Sequence, residues 1–147
     1  MKIDKKLNRL SLYDSHFENE LRADDSIVLT FDWAKLDNLE EFGIDDFVVL
    51  GKTKMTIKGI KDEQLKAYFE GKKYKLIDFP ENVGKYWHEV ANTTIDDTNK
   101  TLQLDGLFTK DGENFWVEWI LRYEICEIEW NSYVTGKEWK NGKLPED

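Results

Sequence analysis

The stretch Phe115-Trp116-Val117-Glu118-Trp119-Ile120-Leu121-Arg122-Tyr123-Glu124-Ile125-Cys126-Glu127-Ile128-Glu129-Trp130 decides the fold. Phe115, Val117, Trp119, Leu121, Tyr123 and Ile125 fall on one parity, and Trp116, Glu118, Ile120 and Arg122 on the other. A period of two with one apolar side is a strand laid on a core. Beyond Ile125 the apolar parity passes to Cys126, Ile128 and Trp130. A strand cannot change faces without an extra residue or a break, so a bulge or sharp bend is predicted near Tyr123–Cys126.

Upstream, Lys110-Asp111-Gly112-Glu113 is a strong hairpin turn, because Asp-Gly tolerates the left-handed backbone that a tight turn requires. It joins the last long strand to one carrying Leu102, Leu104, Gly106 and Phe108 on a single face. Asp96-Asp97-Thr98-Asn99-Lys100 reads as a second hairpin loop, with Asn99 in the left-handed position, and Tyr86 to Ile95 as the strand before it. Tyr74 to Phe79 reads as strand, stopped by Pro80. Between the sheets' halves Asp62 is placed to cap a helix, with Leu65, Tyr68 and Phe69 as its buried stripe and Gly71 as its end.

Nearer the start, Ile27, Leu29, Phe31 and Trp33 alternate with Val28, Thr30, Asp32 and Ala34. The run before them alternates Phe17, Asn19 and Leu21 with Glu18, Glu20 and Arg22, and Ala23 to Ser26 supplies the turn of a hairpin. Leu39, Phe42 and Gly43 suggest one helical turn, followed by apolar strand at Phe47–Leu50 and a further strand through Met55 and Ile57. Residues 1–12 form a lead-in with Ile3, Leu7 and Leu10 at helical spacing, and 134–147 a polar tail or final edge. The sum is a mainly β single domain over 1–147. It is an antiparallel β-sandwich or strongly curled sheet of about seven to nine strands with one short inserted helix.

Composition narrows the function classes. The 147 residues suffice for a core without metal or disulfide, and twenty aromatic side chains supply much of it. The lone Cys126 has no internal partner and sits in an apolar run, so it is read as a buried small hydrophobe. Met1–Lys6 lacks an apolar stretch and no long apolar run follows, so neither secretion nor a membrane span is expected, and the cytoplasm is the default compartment. A net charge of −9 disfavours nucleic acid and favours a basic partner.

The catalytic inventory is thin. Asp14-Ser15-His16 carries the letters of a hydrolase triad, but neighbours on a strand point to opposite faces; Asp14 and Ser15 are read instead as bonding nearby amides in a turn. Gly51-Lys52-Thr53 lacks the earlier glycine of a phosphate loop and precedes a strand rather than a helix. The two histidines and single cysteine form no metal-ligand pattern, and Asp96–Asn99 lacks the glycine and distal Glu of a calcium loop. No catalytic residue, cofactor or metal ligand is therefore assigned. Trp116, Glu118, Arg122, Glu124 and Trp130 are the candidate binding residues, because Trp and Arg among carboxylates is the composition of a binding patch.

Leu12-Tyr13-Asp14-Ser15-His16-Phe17, followed by the Ile27–Trp33 strand, resembles a loosely defined set of small bacterial proteins, some of them immunity proteins of polymorphic toxin systems. Their opening is Leu-His-Asp-Ser, then a hydrophobic strand, a turn and a second strand ending near an Asp. Leu12, Asp14, Ser15 and Asp32 match it, and Tyr13 stands where the family has His. The resemblance implies a bacterial cytoplasmic β protein, with immunity function as one option. Three readings follow. The first is a non-enzymatic protein that binds a partner protein. The second is a small-ligand binder with an aromatic pocket between sheets. The third is a carboxylate-dependent hydrolase with Glu118 or Glu124 as base, on the expectation that the two share a face with Arg122 between them.

Overall fold

The computed structural model describes residues 1–69, 73–77 and 86–146. Its strands, in chain order, are β1 (Lys2–Ile3), β2 (Leu10–Ser11), β3 (His16–Ala23), β4 (Ser26–Asp32), β5 (Lys35–Leu36), β6 (Val48–Leu50) and β7 (Thr53–Lys58). They continue as β8 (Lys61–Tyr68), β9 (Lys75–Ile77), β10 (Trp87–Asp96), β11 (Thr101–Lys110), β12 (Glu113–Arg122), β13 (Ile125–Trp130) and β14 (Tyr133–Thr135). Three antiparallel sheets result: β1-β13-β7-β4-β3, then β10-β11-β12-β8-β9, and a small one, β14-β6-β5-β2. The fold is mainly β and sandwich-like, and among the described residues its α-helix is the short α1 (Gly136–Lys140).

The predicted bend is where the chain passes from one large sheet to the other. β12 ends at Arg122 in the second sheet and β13 begins at Ile125 in the first. Its antiparallel neighbours turn the same corner: β8 pairs with β12, and β7 with β13. The Glu124 amide donates to the Lys58 carbonyl at 3.0 Å, stitching the two turns together. Gly59 makes this possible. Its φ is +68°, and a Cβ there would lie 2.6 Å from the Glu124 side chain. Beyond the corner Ile125 is 52% exposed, so the inward parity expected for it stops at Tyr123.

The two large sheets bury Ile27, Leu29, Phe31, Met55, Ile57 and Ile128 against Leu65, Leu102, Leu104, Val117, Trp119 and Leu121. An ion network closes them at one side. Arg22 on β3 donates to both oxygens of Glu63 on β8 at 2.7 and 2.8 Å, and the Trp119 indole donates to Glu63 at 2.8 Å. The indole thus enters the core with its one donor satisfied.

Several expectations are corrected. Residues 61–68 are a strand, not a helix: Leu65 and Ala67 face the core, Gln64, Lys66 and Tyr68 face out, and pairing to β12 and β9 on both sides outweighs the helical spacing of Leu65, Tyr68 and Phe69. Asp62 lies at φ +55° beside the corner and caps nothing; Gly71 lies outside the described residues. In β3 a bulge at Glu18 reverses the parity, so Glu20 is buried and Leu21 is 64% exposed. Trp33 leaves its strand at φ +63° and is half-exposed, not core. In the Asp96–Lys100 loop the left-handed residue is Lys100, because Asp96 accepts from the amides of Thr98 and Asn99 and from the Asn99 side chain.

The Asp14–Ser15 turn is made by backbone. The Ser15 amide donates to Leu12 at 3.0 Å, while its buried hydroxyl has no partner among the described residues. The end of the chain, expected as tail or edge, carries β14 and α1. Thr135 and Glu138 form a reciprocal capping box there, and bonds from Lys143 and Thr135 hold the Glu138 carboxyl down at about 2. The Asp-Gly turn forms as read, with Asp111 and Gly112 at φ +52° and +78°. The helical turn before Gly43 forms too, over Glu40–Phe42. Of Tyr74–Phe79, Lys75–Ile77 is strand, while 78–79 lie outside the described residues. The lead-in folds as β1, a 3-10 turn at Leu7–Arg9 and β2, burying Ile3, Leu7 and Leu10. No described helix is long and apolar enough to cross a membrane.

Candidate functional site

The outer face of the second sheet is organised by two register lines. The Asp-Gly turn pairs Lys110 with Glu113, so each step back along β11 meets a step forward along β12: Leu107 faces Trp116 and Asp105 faces Glu118. On the other side of β12, Trp116 faces Tyr68 and Glu118 faces Lys66, and Lys66 in turn faces Leu76 on β9. Side chains on a strand alternate, so these residues share one side of the sheet. They form an apolar and aromatic row, Tyr74, Tyr68, Trp116 and Leu107, beside a charged row, Lys66, Glu118 and Asp105.

Among the described residues the polar contacts of the two carboxylates come from neutral side chains. The Tyr68 phenol is held above its ordinary value, first by its interaction with the Glu118 carboxylate and second by burial. Gln103 donates to Asp105 at 2.9 Å. Asp105 is raised above its ordinary value, by burial first and also by the charge of Glu118, with the Gln103 bond opposing. Lys66 is opposite Glu118, yet its ammonium sits over the Tyr74 ring, 4.7 Å from the centroid, and Tyr74 packs on Tyr68 with centroids 5.9 Å apart. Among the described residues neither Asp105 nor Glu118 has a salt bridge. Tyr74 and Leu76 are largely exposed at the margin of the face.

Of the five candidates, Trp116 and Glu118 occupy this face side by side. Arg122 lies on the same side at the far end of β12, opposite Thr101 and 3.7 Å from Asp62, with both side chains exposed. Glu124 is not on the face. The strand has ended two residues earlier, and its carboxylate lies at the corner, 3.4 Å from Lys61. The expected Glu118–Arg122–Glu124 row is therefore broken by the bend itself. Trp130 is 1% exposed and belongs to the core, so it presents nothing to a partner.

Tyr68, Tyr74, Leu76 and Asp105 were missed. Tyr68 lies in β8, where a helix was expected, while Tyr74 and Leu76 lie at β9, which was read as strand but with no partner assigned. Asp105 was legible, since the two-residue turn sets the β11–β12 register.

The other suspected chemistry does not assemble. His16 faces Asp32 across the first hairpin, and no hydrogen bond joins Ser15 to it. Among the described residues no three His, Cys, Asp or Glu side chains are grouped to hold a metal. Cys126 is buried as read, its thiol pushed up to about 12 chiefly by burial, which keeps it out of the reactive thiolate form. A concavity of about 410 Å³ at the Asp-Gly end of the second sheet is walled by Phe69, Ile77 and Phe115 together with Lys110, Asp111 and Glu113.

The chain matches no family model, no curated protein and no solved structure. Function therefore has to be argued from the site's own chemistry.

Proposed function

We propose that this chain is a non-enzymatic cytoplasmic interaction protein that binds a basic partner protein through the outer face of β8, β12 and β11. The observation that carries this reading is the Asp105–Glu118 pair, two carboxylates directly opposite each other with no salt-bridged cation among the described residues, bordered by Trp116, Tyr68 and Tyr74. Like charges placed opposite on neighbouring strands cost stability. A partner's positive charge removes that cost, while the aromatic row supplies contact area of the kind that dominates interface energetics. The net charge of −9 speeds the encounter with a basic surface. An immunity-type role is supported by the resemblance at Leu12, Asp14 and Ser15.

The test is capture from the native organism with three baits: wild type, Y68A/W116A, and L21A on the outer face of the other sheet. A partner held by wild type and L21A but lost by Y68A/W116A, and encoded beside this chain's gene, is the expected result. A partner that survives Y68A/W116A and is lost by L21A sinks the reading, as does the absence of any specific partner.

A small-ligand role is the second reading, favoured by the aromatic concavity, where the Phe69 and Phe115 rings lie 5.0 Å apart. A thermal-shift screen separates the two: a metabolite that raises the melting temperature of wild type but not of F115A favours the ligand.

A further inference from the structure

We infer that the partner's decisive group is an arginine side chain whose guanidinium spans Asp105 and Glu118 beside the Trp116 indole; this rests on the docking role proposed above. Three features separate arginine from other cations. The first is spacing. Directly opposed residues on neighbouring strands have Cβ atoms about 4.5–5.5 Å apart, so the two carboxylates can be bridged by one planar fork of donors.

The second is unused acceptor capacity. An ionised carboxylate has about four lone-pair sites. Among the described residues Asp105 accepts from the Gln103 amide and Glu118 interacts with the Tyr68 hydroxyl, and neither carboxylate takes a further side-chain donor. A guanidinium carries five N–H donors and no acceptor, which suits two carboxylates at once.

The third is the fate of the protein's own lysine. Lys66 stands opposite Glu118, and its ammonium rests on the Tyr74 ring instead of on either carboxylate. A flexible point charge within reach has not closed the pair, whereas a guanidinium adds stacking on an aromatic surface to its hydrogen bonds. Trp116 is two residues from Glu118 on the same face, about 7 Å along the strand, within the span of an arginine side chain. A divalent ion fits less well, because calcium takes six to eight oxygen ligands and this pair offers two carboxylates.

The experiment titrates N-acetyl-arginine amide and N-acetyl-lysine amide, at equal millimolar concentrations and low salt, into nitrogen-15-labelled full-length protein. The expected result is saturable shifts of the Trp116 indole and of the Asp105 and Glu118 amides, with the arginine probe binding at least about threefold tighter than the lysine probe. D105N/E118Q should lose the arginine response at an undiminished melting temperature. Equal responses to the two probes, shifts centred elsewhere, persistence in D105N/E118Q, or the same shifts with calcium chloride alone would each overturn the arginine. The captured partner separates this inference from the docking role. Binding lost in Y68A/W116A but kept in D105N/E118Q discards the arginine and the carboxylate pair as determinants and leaves only the aromatic row as the docking surface. Binding indifferent to both variants discards the two together.

Discussion

On the outer face of the first sheet opposite charges alternate: Lys2 faces Glu129, which faces Lys54, which faces Thr30. On the outer face of the second sheet the corresponding row runs Lys66, Glu118, Asp105, and the lysine is turned away onto Tyr74. Both are wet faces of antiparallel sheets with the same pleat and the same kinds of residue. The first face sets unlike charges opposite one another, and its Lys2 also lies 3.5 Å from Glu127. The second leaves two negative charges together and places aromatics beside them. A charge arrangement that costs the isolated fold something, next to large apolar rings, is where an external group has most to contribute.

The largest expected effect is on binding. Replacing Trp116 with Ala should weaken the partner by tenfold or more, on the order of 2 kcal/mol, because a Trp near the centre of a contact face is the usual hot spot. Leu21→Ala, which removes an exposed apolar side chain from the other sheet's outer face, should change affinity less than about twofold. Isothermal titration with the captured partner measures both. If the two substitutions weaken binding equally, the contrast between the faces has no functional meaning.

Next comes a way to make the first face resemble the second. Lys54→Glu places a carboxylate opposite Glu129, so it should destabilise the protein by up to about 1 kcal/mol in urea unfolding. The loss should shrink at high salt, since Lys54 is exposed and screening acts fully on surface charges. No change at low salt would mean that opposed charges cost little on these sheets, and the significance of Asp105 facing Glu118 would fall with it.

How far these faces could be read from sequence differs by residue. The long alternation of Phe115–Tyr123 and the parity change after Ile125 contain the inner face of β12 and the corner, because burial imposes a strict period on each strand and a break where the period slips. The Asp-Gly turn also contains the Asp105–Glu118 pairing. Neighbours that are not joined by a tight turn are another matter. Tyr68 lies opposite Trp116 through pairing between β8 and β12, about fifty residues apart in the chain, and no local pattern encodes that register. Leu65, Tyr68 and Phe69 satisfy helical spacing as well as strand pairing, and only the presence of β12 and β9 on either side decides. Glu20 is a similar case: one bulged residue at Glu18 turns an apparently outward carboxylate inward. Trp130 had the inward parity of Cys126 and Ile128 in plain sight, and its composition, an indole beside carboxylates, suggested a surface that its parity excluded.

The smallest effect tests the electrostatic contrast most directly. The Asp105 carboxyl is held above its ordinary 3.8 by burial first and also by the Glu118 charge. A carboxyl with a raised pKa in the folded state binds its proton more tightly there than in the unfolded chain. The stability it contributes is therefore complete below 3.8 and is lost as pH rises through the raised folded value. Asp105→Asn removes this loss and can still accept from Gln103, so it should be more stable than wild type at neutral pH by a few tenths of a kcal/mol. The advantage should fade as the pH is lowered through the same window. Glu129→Gln also removes one negative charge, but from between Lys2 and Lys54, and should be slightly destabilising at neutral pH. With a net charge of −9, a general relief of self-repulsion would stabilise both variants alike. Opposite signs in urea unfolding at pH 7 mean that local pairing governs each face; equal signs mean that total charge does, and the Asp105–Glu118 pair is then no special invitation to a partner.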